Sequence, residues 1–217
     1  MAGRLTSSRS LITCWLSMPL RRVFNGSGVV TTIKDAWLDR LSKWSDIQEY
    51  MPFLYEQAAS RDKPVILELG SRRGNSTFSF LAGVADNGGH VWSCDIDDVR
   101  KIVGGIGPWA RSPNWTFIHG DDMDPAVQGQ LPAEVDVFFH DTSHEYEHTM
   151  GELRAYMPRV KKGGIALFHD TNVRSWPGYE WDGEFPPVHQ ALDDYCAEAG
   201  LQWENRPGKY GLGVIHL

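Results

Sequence analysis

The amino-acid sequence predicts a doubly wound α/β domain. Short, continuous apolar runs recur along it, each closing in a polar cluster: "VILEL", "HVWSCD", "WTFIHG", "VDVFF" and "GIALF". Stretches with helical period lie between several of them, and the first run ends in a glycine turn. Unbroken apolar strands of this length suit a parallel sheet covered on both faces. In such sheets ligands gather at the carboxyl ends of the strands.

Each element follows in turn. "KDAWLDRLSKW" and "SDIQEYMPFLYEQAA" read as N-terminal helices within residues 34–59. The second carries Ile47, Met51, Leu54 and Ala58 on one face, with Ser45 as its cap. Past the glycine turn a helix points Phe78, Leu81 and Val84 inward. In "HEYEHTMGELRAYMPRV", Tyr146, Met150, Leu153, Met157 and Val160 recur at alternating spacings of four and three. That is a helix, which Lys161, Lys162 and Gly163 are expected to close. "TNVRSWPGYEWDGEFPP", residues 171–187, has no period and reads as a lid. Its Trp176, Tyr179, Trp181 and Phe185 suit a stacking platform for an acceptor ring, or plain packing onto the core. A helix follows with Pro187 in its first turn and Gly200 as its stop. "LQWENRPGKYGLGVIHL" then reads as two strands around an Arg-Pro-Gly-Lys turn.

The chain has 217 residues and a net charge of −7. Residues 31–217 are long enough for one full sheet with helices on both faces. Residues 1–30 carry four arginines and no acid, and are expected to form a poorly ordered arm. The acidic balance argues against a nucleic-acid partner. No apolar run approaches the ~18 residues of a membrane span. Three cysteines, Cys14, Cys94 and Cys196, are too few and scattered for a disulfide frame, so a cytoplasmic setting is expected. A homo-oligomer stays open.

The glycine turn, Gly70-Ser71-Arg72-Arg73-Gly74, lets the following helix start close to a ligand. Alone it also fits a structural turn. Asp95 ends the second strand, where a carboxylate can take both hydroxyls of a ribose. Asp121 ends the third, where it can accept from an adenine amino group. Singly, each also reads as a loop acid or cap; together they describe a nucleoside pocket. The G-x-G-x-x-G spacing of a dinucleotide fold is missing.

The segments "VILELGSRRGNST", "WSCDID", "FIHGDD", "HDTSHEYEHT", "KKGGIALFHDT" and "PGKYGLGVI" together resemble class I S-adenosylmethionine-dependent methyltransferases. The branch they resemble holds small-molecule and sugar O-methyltransferases related to macrocin O-methyltransferase and cephalosporin hydroxylase. The resemblance covers roughly residues 45–217. It implies a Rossmann-like, mostly parallel seven-stranded sheet in order 3-2-1-4-5-7-6, with strand 7 antiparallel. It also implies S-adenosylmethionine as cofactor, with Glu68, Gly70 and Gly74 at the methionine part, Asp95 at the ribose and Asp121 at the adenine. Ser71, Ser76 and Asp122 join that set. Arg72 stands where many members carry glycine.

The tetrapeptide FHDT occurs twice, at Phe139–Thr142 and Phe168–Thr171. In the implied order, strands 4 and 5 are neighbours ~4.8 Å apart, so Asp141 and Asp170 emerge together. The resemblance places a divalent cation on Asp141, His169 and Asp170. The imidazole suits manganese, iron or zinc better than magnesium. Asp141, His144 and Asp170 are the expected catalytic groups, acting on a hydroxyl of a small-molecule acceptor, a sugar or a glycosylated or polyketide-like product. His140 points to the other side of its strand and reads as a core residue. Two other readings are a nicotinamide oxidoreductase, which the absent Tyr-x-x-x-Lys pair disfavours, and a non-catalytic binding protein.

Overall fold

The computed structural model describes residues 23–24 and 30–217. The expected arm therefore lies almost wholly outside the described residues. The chain divides into two units, residues 1–32 and 33–217. In the first, Val23–Phe24 and Val30–Thr31 form a short antiparallel ladder.

The second unit is built on strands β1 (Val65–Leu69), β2 (His90–Asp95), β3 (Trp115–His119), β4 (Val135–His140), β5 (Val160–His169), β6 (Trp203–Arg206) and β7 (Leu212–His216). They form one seven-stranded sheet in order β3-β2-β1-β4-β5-β7-β6. The first five pair parallel with one another, and β7 runs antiparallel to both β5 and β6. This is the expected topology of a Rossmann-like methyltransferase fold.

Helices α1 (Ile33–Leu41), α2 (Met51–Ala59) and α3 (Asn75–Val84) precede the short α4 (Pro125–Gln128), α5 (Tyr146–Tyr156) and α6 (Pro187–Ala199). The period of two along each strand divides the core. Ile66, Val137, Phe139, Ile165 and Leu167 pack with the first three helices. Leu67, Leu69, Phe138, Ala166 and Phe168 pack with α5 and α6. Every residue of α3 from Ser76 to Val84 is buried, because the helix lies between the sheet and α2.

Two boundaries differ from expectation. Helix α2 begins at Met51, with Pro52 in its first turn, and Ser45 is not its cap. A start at Ser45 would have put the proline ring inside the helix, where it clashes with the preceding turn. Helix α5 ends at Tyr156, tightens into a 3-10 turn over Met157–Arg159 and leads straight into β5. Lys161, Lys162 and Gly163 thus belong to the strand. They form an irregularity against β4, whose register slips between Val135 and Val137.

Candidate active site

Strand β1 delivers Glu68 and the glycine turn. Glu68 is fully buried, and its carboxylate accepts from the hydroxyls of Ser71 (3.1 Å), Ser76 (2.6 Å), Thr77 (2.7 Å) and Ser93 (2.5 Å). Burial pushes its pKa up to about 7, against the pull of those hydroxyls. Glu68, Ser71 and Ser76, expected at the cofactor, therefore brace the turn from behind. Gly70 and Gly74 both take the left-handed conformation, at φ 78° and 81°. A Cβ at Gly70 would collide with the carbonyl of Asp141, and one at Gly74 would lie 2.7 Å from Ile106. Arg72 adopts φ 45°, so the loop keeps a glycine-like path without a glycine.

The Asp95 carboxylate ties this turn to β2. Its Oδ2 accepts from the amides of Ser71 (2.7 Å) and Arg72 (2.8 Å), and its Oδ1 from Asp97 (2.9 Å). A cavity of about 390 Å³ opens beside it, lined by Gly70, Asp95, Asp121, Asp122, Asp141 and His148 among others. Its walls come from the ends of four strands, as an α/β sheet prescribes.

Strands β4 and β5 bring the twin segments to the same edge, one residue out of step: His140 pairs with Phe168. One step further, Asp141 is level with His169. Accordingly His169 Nδ1 lies 3.2 Å from Asp141 Oδ1. His144, on the loop after β4, bridges the two acids, its Nε2 3.0 Å from Asp141 and 3.2 Å from Asp170. Asp141, His144 and Asp170 form a group able to hold a metal ion. His169 is not in it. It is fully buried, with the rings of Tyr50 and Tyr210 at 5.9 and 6.1 Å, and it backs Asp141 from within. Its Nδ1 also lies 3.5 Å from Asp170 Oδ2, so the expected set of Asp141, His169 and Asp170 stands beside a group whose imidazole is that of His144.

The two acids differ. Burial alone would raise Asp141, but the charge of His169 and hydrogen bonds from His144 and His169 outweigh it and hold Asp141 far below the usual range. Asp170 is raised by burial first, with Asp141 adding to it against the pull of His169. His144 and Asp170 both sit at φ 62°, an uncommon conformation for residues with a side chain.

The comparisons agree with this geometry. A family described as "Methyltransferase domain" matches residues 67–171. That span runs from the glycine turn through both FHDT segments. Demethylmacrocin O-methyltransferase of Streptomyces fradiae is 28% identical over 99 residues, 44% of this chain and 23% of that protein. Over residues 67–171 the chain thus resembles a methyltransferase domain. An S-adenosylhomocysteine-bound methyltransferase of Podospora anserina superposes with a TM-score of 0.60 at 17% identity, over 85% of this chain and 86% of that one. An O-methyltransferase of Bacillus cereus, also with S-adenosylhomocysteine, gives 0.61 at 14% identity over 85% and 90%. MycE methyltransferase of the mycinamycin pathway, solved with magnesium, S-adenosylhomocysteine and mycinamycin VI, gives 0.60 at 16% over 83% and 52%.

Two further features of this domain were not foreseen. The fully buried His140 donates from Nε2 to the Glu152 carboxylate of α5 at 2.6 Å, in keeping with its core position and giving it a charged partner. Glu152 also faces His148, which the carboxylates of Asp122 and Glu152 push up to about 10. The signal was there: His148 and Glu152 stand four apart on one helix face. The lid, in turn, largely packs on its own chain. Trp176 stacks on Tyr179 and meets the His144 ring edge-on at 5.8 Å, while Trp181 stacks on Tyr146. The Arg174 guanidinium donates to the carbonyls of Gly183 and Glu184, closing the loop on itself.

Proposed function

We propose that the chain transfers the methyl group of S-adenosylmethionine to a hydroxyl of a small molecule, with a divalent cation held by Asp141, His144 and Asp170. The acceptor class is a sugar, or a glycosylated or polyketide-like product. One observation carries the reading: Asp141 belongs both to that group of three and to the lining of the cavity, beside Gly70, Asp95 and Asp121. The donor set fits a cation. It offers two carboxylates and an imidazole, and Asp170 Oδ1 is buried without a hydrogen-bond partner. The cavity suits a nucleoside, with a volume of about 390 Å³ and the Asp95 and Asp121 carboxylates in its lining. The matched demethylmacrocin enzyme and the magnesium-containing MycE structure support the same acceptor class.

A bound cation lowers the pKa of a coordinated alcohol, which is a poor nucleophile at neutral pH. The chain's residues do the rest. The turn and Asp95 fix the nucleoside end, so that an acceptor oxygen held ~3 Å from the methyl carbon is in line for displacement. Asp141 stays ionised and anchors charge. Asp170, whose proton affinity burial raises, takes the hydroxyl proton, with His144 positioned between them. Trp176, against His144, walls the acceptor side.

Calorimetric titration with S-adenosylmethionine and NADH in parallel, metal analysis, and turnover of a hydroxylated acceptor panel with and without chelator test this. S-adenosylmethionine alone should bind, and chelator should stop turnover until metal is restored. Full activity under chelator with an authentic acceptor would remove the cation from the mechanism. Binding of NADH instead would restore the oxidoreductase reading.

A further inference from the structure

A second group of metal-competent side chains lies deeper in the same domain: Asp122, His148 and Glu152. Asp122 follows β3, and His148 and Glu152 project from one face of α5, so two separate elements supply the three donors. His148 Nε2 lies 3.4 Å from Asp122 Oδ1 and 3.5 Å from Glu152 Oε1. Charge-assisted hydrogen bonds are shorter, about 2.7–2.9 Å. The observed separations instead equal the edge of a tetrahedron around zinc, about 3.3–3.5 Å for bonds of ~2.0–2.1 Å.

Two independent observations point to a ligand. Asp122 is 8% exposed, yet its Oδ1, the atom facing His148, is buried without a hydrogen-bond partner. Glu152, fully buried, is oriented from behind by His140 Nε2 at 2.6 Å from Oε2 and by the Thr142 hydroxyl at 2.9 Å from Oε1. Metal-bound carboxylates are characteristically held this way by an outer layer of donors. Asp122 and His148 also line the cavity, which provides an entry path and room for a fourth ligand.

We propose that Asp122, His148 and Glu152 form a second divalent-cation site, of zinc type, in the wall of the cavity and distinct from Asp141, His144 and Asp170. The bound ion links the end of β3 to α5 and turns the Asp122 carboxylate from a cofactor contact into a metal ligand. This site does not depend on the acceptor or on the first cation. The competing arrangement, an imidazolium clamped between two carboxylates, takes up no metal.

The test uses the full chain carrying Asp141→Asn and Asp170→Asn, which disables the first group. Cobalt(II), a zinc surrogate with visible bands when four-coordinate, is titrated and then displaced by zinc. One equivalent should bind with four-coordinate absorption, and adding His148→Gln should weaken binding at least about tenfold. His148 is only partly buried on its helix, and far-ultraviolet dichroism checks that the variant folds. X-ray absorption on the zinc-loaded double variant needs no further substitution and should show one imidazole among oxygen ligands. No cobalt uptake at about 1 mM, an all-oxygen shell, or binding unchanged by His148→Gln in folded protein overturns the proposal.

Discussion

The twin FHDT segments share four residues and almost nothing else. His140 turns toward α5 and pairs with Glu152, whereas His169 turns toward α2 and backs Asp141. The cause is the register. His140 is level with Phe168, so equivalent residues stand one step apart on adjacent parallel strands. One step on a strand reverses the face. The aspartates diverge as well: Asp170 is left-handed at φ 62° and raised by burial, while Asp141 has no positive φ and is held low by imidazoles. A repeated motif therefore does not imply a repeated role; its strand offset decides which copies meet.

The strongest way to break that comparison is through turnover. Asp141→Asn and Asp170→Asn should each lower kcat by a factor on the order of 10²–10⁴, the range for removing a positioned acid, base or charge. Asparagine tolerates a left-handed backbone, so the second variant keeps the loop. S-adenosylmethionine affinity, measured by calorimetry, should change less than about threefold, because the substitutions leave Asp95 and Asp121 in place. A matching loss of cofactor affinity in either variant would place that aspartate in the nucleoside pocket.

The histidines separate next, in stability. His140→Ala removes one partner of a buried ion pair and should cost about 3–5 kcal/mol by urea unfolding. The folded fraction should keep its kcat within a few-fold. His169→Ala should instead lower kcat, since it removes the group that orients Asp141. A catalytic collapse in folded His140→Ala protein would give the wrong twin the functional role.

Much of this was legible before the fold. Continuous apolar runs announced the parallel strands, and the polar residue after each run marked the carboxyl edge of the sheet where Asp95, Asp121, Asp141 and Asp170 stand. Alternation correctly put His140 in the core. What sequence could not supply was relative register, because nothing local to "VDVFFHDT" encodes its offset against "GIALFHDT". The approach of the His144 imidazole to both Asp141 and Asp170 was therefore not foreseen as a metal-competent group. The partners of Glu68 were hidden for a similar reason: Ser93 lies 25 residues away and meets it only across neighbouring strands. Helix ends failed where proline rules competed with hydrophobic period, at Pro52 and Pro158.

A third buried acid shows whether partner or burial decides ionisation. Glu152, among imidazoles, is held low: burial would raise it, but the charge and hydrogen bond of His140 prevail. Glu68, among neutral hydroxyls, rises from 4.5 to about 7. Its folded value lies above the unfolded one. Its contribution is thus fully present below about pH 4.5 and is lost as pH rises through about 7. The loss is on the order of 3 kcal/mol. Denaturant unfolding of wild type minus Glu68→Gln should reveal that decline, since glutamine does not titrate. A difference that stays flat from pH 5 to 8 would mean that the hydroxyls hold Glu68 ionised.

The smallest effect isolates backbone strain from chemistry. Asp170 and His144 combine a left-handed backbone with proposed ligand roles, so their substitution confounds the two. Arg72 shares the conformation, at φ 45°, but its side chain is 82% exposed and, among the described residues, pairs with Asp46 at 3.0 Å. A left-handed residue with a Cβ costs roughly 1–2 kcal/mol. Glycine removes that cost but loses about 0.5–1 kcal/mol through its freer unfolded chain. The exposed ion pair with Asp46 contributes little in water. Arg72→Gly should therefore shift stability by less than about 1 kcal/mol, toward a more stable protein. Its amide hydrogen bond to Asp95 survives, because the substitution leaves the backbone donor in place. A urea midpoint that falls clearly below wild type would show that the guanidinium, and not the loop's path, is what holds Arg72 in its place.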